Sequence, residues 1–348
     1  MERGPGTVSL RGRPPSRVVV MRYRLFGRTG LRVSELVLGT MALRDADEYR
    51  RILDVFAAAG GNFLDTAPMY GPGEELLGSV LRDRDRFVIG TKYTPTRDPA
   101  DPNAAGNHRK NLMLSLEQSL RKLRTDYIDV YWVHVWDRLT PIEETLRALD
   151  DAVRSGKVLH LGISDVPAWV VARANTVAEL RDRTRFAGLQ VPYNLLWRDA
   201  ERELIPMAEA FGMSVTAWGP LGQGVLSGRA GRRADPGRFT ERQRAAAAAV
   251  DEVAAELGVP AAHVALAWTR HRSPAVLPIV GVSSAGQLTE NLGAVELMLS
   301  DEAVETLEAA APFDLGFPGD FIASCDTAPG IYGEQVSRVD TSGYTLRA

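Results

Sequence analysis

The chain has 348 residues, 45% of them hydrophobic, a formal net charge of −3 and one cysteine, Cys325. That length and composition fit a soluble α/β protein with a sizeable core. The charge offers no global basic field for nucleic acid, and one cysteine excludes an internal disulfide framework or a cysteine-rich metal site.

Residues 1–20 are rich in Arg, Gly and Pro and lack the apolar core of a secretory signal. They read as a disordered tail, with Met21 as an alternative start. Residues 21–348 read as a single domain. No apolar run approaches bilayer length, so no membrane partner is expected, and lone-cysteine usage suits a reducing cytoplasm.

In chain order, "YRLFGRTGLRVSEL" alternates around Arg28, Thr29 and Gly30 and predicts a β-hairpin. Short apolar runs then recur at 36–39, 62–64, 87–90, 128–133, 158–163, 188–191, 214–217 and 275–279. Each is apolar on both faces, as parallel strands covered by helices are. Between them lie helical periodicities. One places Ile52, Val55 and Phe56 on a face and stops at Gly60. Another aligns Leu112, Leu116, Leu120 and Leu123. A third opens at Thr140–Pro141 and stops at Gly156. After Ala311 the chain is Gly-, Pro- and Phe-rich and weakly periodic, which predicts a C-terminal loop.

Eight strand–helix units fit a closed (β/α)8 TIM barrel, with a doubly wound open sheet as the alternative. The barrel is favoured because no early G-x-G-x-x-G follows the first strand. Polar residues also end nearly every strand, rather than clustering at one switch point. The hairpin would then cap the barrel bottom, and the C-terminal loop would lie over its mouth.

Those strand-end residues carry the chemistry. Asp65, Tyr70, Lys92 and His134 follow the second, third and fourth strands. A phenol with an ordinary pKa near 10 is a poor proton donor at neutral pH. A neighbouring cation lowers that value. Lys92 can be the cation, Asp65 its ion-pair partner, and His134 a group that orients a carbonyl oxygen. Taken singly, each has a bland reading: an amphipathic loop tyrosine, a solvated lysine, an Asp N-cap. Four together at strand ends make a proton-delivery site suited to carbonyl reduction.

Two loops suit a nucleotide. After the seventh strand, "AWGPLGQGVLSGR" joins Trp218, a flat face for a nicotinamide ring, to Gly219, Gly222, Gly224 and Gly228, with Arg229 as a phosphate partner. After the eighth, Gly281, Ser283 and Ser284 precede a helix start, an anion site. There Gln287, Glu290 and Asn291 can read ribose or adenine. Ser284 and Gln287 equally form a capping box. Ser164, Asp165 and Gln190 can hold a carboxamide, and Asp165 also reads as an N-cap ahead of Pro167. His108, His160, His263 and His271 show no paired ligand spacing, so no metal is expected.

At this point the chain resembles the aldo-keto reductases, bacterial members and potassium-channel β-subunits included. The resemblance runs from Tyr23 to Ala294 through "FLDTAPMYG", "GTK", "TDYIDVYWVH", "GISD", "LQVPYNLL", "AWGPLGQGVLSG" and "GVSSAGQLTENL". It implies a (β/α)8 barrel without a Rossmann domain and NADP(H) extended across the mouth, with NAD(H) as the alternative. It also implies the tetrad Asp65, Tyr70, Lys92 and His134, with Tyr70 as proton donor to a small-molecule carbonyl. The implied cofactor contacts are Thr40, Ser164, Asp165, Gln190, Trp218, Gly219, Pro220, Leu221, Gly222, Gln223, Arg229, Gly281, Ser283, Gln287, Glu290 and Asn291.

Two positions depart from the family pattern. Asp165 stands where Asn is frequent, and a negative carboxamide partner is expected to weaken nicotinamide binding. Ser283 stands where many members carry Arg or Lys for a 2′-phosphate. A sensory role like that of the channel subunits is the alternative to catalysis. Substrate specificity falls to the mouth loops at 41–46 and 93–107, to Trp136 and Trp197, and to the tail at 313–331. The sequence leaves the oligomeric state open.

Overall fold

The expected alternation closes into a parallel barrel. The structure, a computed structural model, describes residues 20–228, 239–325, 329–333, 335 and 338. The expected N-terminal tail and Arg229 lie outside them. An antiparallel hairpin comes first, β1 (Tyr23–Leu25) and β2 (Arg32–Ser34). The barrel strands follow: β3 (Val37–Gly39), β4 (Phe63–Asp65), β5 (Val88–Tyr93), β6 (Ile128–Val133), β7 (Val158–Ser164), β8 (Phe186–Pro192), β9 (Ser214–Trp218) and β10 (Val276–Gly281). They pair in chain order, and β10 closes on β3.

Helices lie between the strands: α1 (Ala46–Ala58), α2 (Gly73–Val80), α3 (Arg109–Leu123), α4 (Ile142–Arg154), α5 (Ala168–Leu180) and α6 (Leu204–Ala210). Two helices, α7 (Glu241–Leu257) and α8 (Ala261–His271), separate β9 from β10. Then come α9 (Ala285–Leu292) and α10 (Asp301–Ala310). Among the described residues, no helix is long and apolar enough to cross a membrane.

The helix stripes follow the periodicity with one shift. In α1 the buried residues are Tyr49, Ile52, Leu53 and Phe56, while Val55 is only half-buried. The Leu112, Leu116, Leu120 and Leu123 stripe of α3 is buried throughout. The expected stop at Gly60 holds, with φ at +85° just past the cap residue Ala59.

Strand alternation decides what faces the barrel axis. Val88 joins the inner core with Phe63, Val130 and Trp132, whereas Ile89 and Tyr93 join the outer core under the helices. Counting by twos from those inner residues brings Asp65, Lys92 and His134 to the inward face at the C-terminal end, and Ser164, Gln190, Trp218 and Gly281 line the cleft at that same end. On β4, β5 and β6 the polar layer continues inward rows whose lower members are apolar.

The hairpin closes the other end. Its turn holds Phe26 with Phe26 N–H donating to Leu31 O at 2.8 Å, and Gly27 adopts φ +56°. A Cβ on Gly27 would meet Ala187 O at 2.4 Å, so only glycine lets the turn seat this closely. Phe26 is fully buried, with its ring edge-on to Phe63 at 5.8 Å and Trp132 at 6.1 Å. Gly162 and Gly188 make room for the Trp132 indole.

The stretch after Ala311 is not loop throughout. It forms two short helices, α11 (Gly319–Cys325) and α12 (Pro329–Tyr332). Its start is tied to the loop after β8, where Arg202 donates to the carbonyls of Leu315 and Asp314 and lies over the Phe313 ring. None of its described residues lines the main cleft at the mouth.

Candidate active site

A cleft of about 1100 Å³ opens at the C-terminal ends of the strands. Its floor is the inward polar layer. Lys92, fully buried at the end of β5, donates to Asp65 Oδ1 at 2.8 Å, Asp65 Oδ2 at 2.6 Å and Thr66 O at 2.9 Å. Gln190 Nε2 donates to Asp65 Oδ1 at 3.0 Å and to Thr216 Oγ1 at 3.2 Å. Burial opposes the Lys92 charge, but Asp65 overrides it, and the Lys92 pKa stands above its ordinary value. A buried cation held by two carboxylate oxygens and one carbonyl is fully satisfied.

Tyr70 ends a 3₁₀ turn, Pro68–Tyr70, directly after β4. Lys92 Nζ sits 5.0 Å from its ring centroid. The expected lowering of the phenol pKa is outweighed. Burial raises it, Lys92 pulls it down, and Asp65 pushes it up again, so the net shift is upward. The reason is physical: the phenol is buried, and Asp65 offsets part of the Lys92 charge. Tyr70 therefore stands as a neutral acid.

His134 follows β6, its ring edge-on to Tyr70 with centroids 6.3 Å apart. Burial, with Lys92 second, pushes its pKa down to about 3. The imidazole is neutral at physiological pH. Its Nδ1 is buried and has no protein partner among the described residues.

Beside the tetrad, Ser164 and Gln190 are adjacent across β7 and β8. Asp165 adopts φ +48°, and its Oδ1 accepts from the Trp218 indole N–H at 3.4 Å. The N-cap reading of Asp165 fails: α5 is capped by Pro167 without any side-chain bond. Along the wall, Gly219, Gly222, Gln223 and Gly224 all have positive φ. Asn194 Nδ2 holds Gly219 O at 2.7 Å. Pro220, Leu221 and Thr40 also line the cleft, and the buried Thr40 hydroxyl pairs with the Tyr49 hydroxyl.

The far end is formed by Gly281, Gln287, Glu290 and Asn291. Ser284 is the N-cap of α9, accepting from Gln287 N at 3.3 Å. The Gln287 side chain does not complete a capping box. It accepts instead from Ser283 N at 2.9 Å and Ser283 Oγ at 3.1 Å. The Ala285 amide donates to Glu48 Oε1 at 2.6 Å, so a carboxylate from α1 sits on this helix start. Sequence reasoning missed Glu48, and also Thr66, Thr216 and Asn194. Thr66 carried a signal as the residue after Asp65 in "FLDTA", and Asn194 as a member of "LQVPYNLL".

The aldo/keto reductase family model matches residues 35–312. The chain belongs to the aldo/keto reductase family. Among its relatives is a norsolorinic acid reductase of Emericella nidulans, 41% identical over 89% of this chain and 86% of the relative. A norsolorinic acid reductase of Aspergillus flavus is 38% identical over 87% and 84%. An aryl-alcohol dehydrogenase of Pestalotiopsis microspora is 36% identical over 88% and 87%. These relatives and the family make this aldo/keto reductase an oxidoreductase acting on carbonyls or aryl alcohols.

Proposed function

We propose that this aldo/keto reductase is an NADP(H)-dependent enzyme that reduces an aryl aldehyde or ketone to the alcohol, with Tyr70 as proton donor. The observation that carries the reading is the buried Asp65–Lys92 pair beneath a neutral Tyr70, with a neutral His134 edge-on to it. The cleft residues fit a dinucleotide. Its volume is at the upper end of ordinary ligand pockets, and the wall from Gly219 to Gly224 presents backbone rather than bulky side chains. Trp218 offers a face, Ser164 offers a hydroxyl and Gln190 an amide, and Thr40 lines the cleft beside them.

When bound, the nucleotide supplies hydride from C4 of its nicotinamide. The chain's residues do the rest. Tyr70 gives its phenolic proton to the carbonyl oxygen as the alcohol forms. Lys92 then stabilises the phenolate, and Asp65 and Gln190 keep Lys92 in place. Neutral His134 offers a single N–H to orient the same oxygen. The aryl preference rests on the relatives and on the mouth. There Trp197 and Trp218 meet edge-to-face at 6.1 Å, and Met41 and Met69 stand exposed.

Ser283 and Gln287 would meet the 2′-phosphate of NADP(H). Glu48 on the Ala285 amide counts against an anion there, which makes NAD(H) the alternative. A reducing cytoplasm is the setting that suits this cofactor chemistry. Titration of Trp fluorescence with NADPH and with NADH tests the cofactor. Tyr70→Phe should abolish turnover of an aryl aldehyde while leaving nucleotide affinity intact. Full activity in that variant would sink the mechanism.

A further inference from the structure

The inner end of the cleft has an uneven charge balance. Lys92 and Asp65 cancel in a direct pair. His134 is neutral. Arg44, also in the cleft wall, turns its guanidinium onto the carbonyls of Met41 and Leu43. The acid left over is Asp165, at the very end of β7. Its backbone is held in place, with Asp165 N–H donating to Gln190 O at 3.3 Å. The left-handed φ of +48° aims its side chain at Trp218, whose indole N–H lies 3.4 Å from Oδ1.

A long bond from the Trp218 indole and a hydrogen bond from the Ser164 hydroxyl, both uncharged donors, are weak compensation for a carboxylate. Burial accordingly raises the Asp165 pKa above its ordinary value, with Trp218, Lys92 and Ser164 opposing the shift.

We infer that Asp165 is a redox-state selector: its carboxylate makes the cleft bind the oxidised, positively charged nicotinamide in preference to the reduced, neutral one. This rests on the nicotinamide reading above. A ring stacked on Trp218 would lie beside the Asp165 carboxylate. The oxidised ring carries one positive charge and would complete the balance, whereas the reduced ring would leave the carboxylate short of a partner. An amide at this position would hydrogen-bond either form alike.

The consequence is a bias on the bound reaction. Hydride leaves the nucleotide, which is oxidised, and reaches the carbonyl carbon, which is reduced, while the proton comes from Tyr70. Favouring the oxidised ring therefore pulls the bound equilibrium toward alcohol. Product nucleotide is held more tightly in return.

The test is calorimetric titration of the full chain with NADP+ and with NADPH, in the native protein and in Asp165→Asn and Asp165→Gly. Both replacements tolerate positive φ, so the loop geometry is retained. A unit charge acting over a few ångströms at the edge of a protein predicts about a tenfold rise in the ratio of the NADP+ to NADPH dissociation constants in both variants. An unchanged ratio in both overturns the inference and leaves the cofactor reading intact. A rise in Asp165→Asn that Asp165→Gly does not share assigns the effect to the new amide rather than to lost charge, and also overturns it. Failure of the native protein to bind either nucleotide overturns both readings.

Discussion

Neutral His134 makes a stability prediction that is separate from catalysis. Its ordinary pKa is 6.5, and in the fold it is pushed down to about 3 by burial and by Lys92. The folded state therefore binds fewer protons than the unfolded chain between those values. The sign follows: the contribution is fully present above pH 6.5 and is lost as pH falls toward 3. At pH 4.5, with 6.5 unfolded and about 3 folded, the loss is about 2–3 kcal/mol. Replacing His134 with Gln removes the titration and leaves an uncharged polar side chain. Urea unfolding of both proteins at pH 7.5, 6.0 and 4.5 isolates the effect, because all other titrating groups are common to the pair. The advantage of the native protein over His134→Gln should shrink by that amount between pH 7.5 and 4.5. A difference that stays constant across the range would refute the argument that His134 is held neutral.

Three further outcomes follow from the packing. Lys92→Met leaves Asp65 buried with Gln190 as its remaining donor from the floor and should cost about 3–5 kcal/mol in urea unfolding, much of it recovered in Asp65→Leu/Lys92→Met. Phe26→Ala empties the bottom of the barrel and should cost about 3–5 kcal/mol, with nucleotide affinity unchanged by fluorescence titration. Gly162→Ala would place a Cβ 2.1 Å from Trp132 Cε3; its overpacking cost of about 1–3 kcal/mol should lower the thermal midpoint.

The barrel was legible because buried parallel strands leave an unambiguous signal, a short two-sided apolar run with a polar terminus. Asp65, Lys92 and His134 stood out for the same reason, each being the first inward polar residue above an apolar row. What stayed hidden depends on contacts far apart in sequence. The indole bond of Asp165 comes from position 218, and the carboxylate on the Ala285 amide comes from position 48. Both positions have local readings, an N-cap and an open helix start, and tertiary geometry overrode both. The tail shows a different limit. α11 shows no helical stripe in sequence because its Phe321 and Ile322 stay exposed, so no buried face imposes a period.

The plug at the barrel bottom also governs how the site exchanges protons with water. Phe26, Phe63, Val88, Val130, Trp132 and Leu277 fill the axis below the tetrad with apolar atoms. The cleft opens at the other end, so on the proposed chemistry a proton given up by Tyr70 would return through the mouth. With the proposed nucleotide and substrate over the mouth, the phenol would be isolated from bulk solvent. On that reading each turnover would run on a single stored proton, replenished when the cleft next opens.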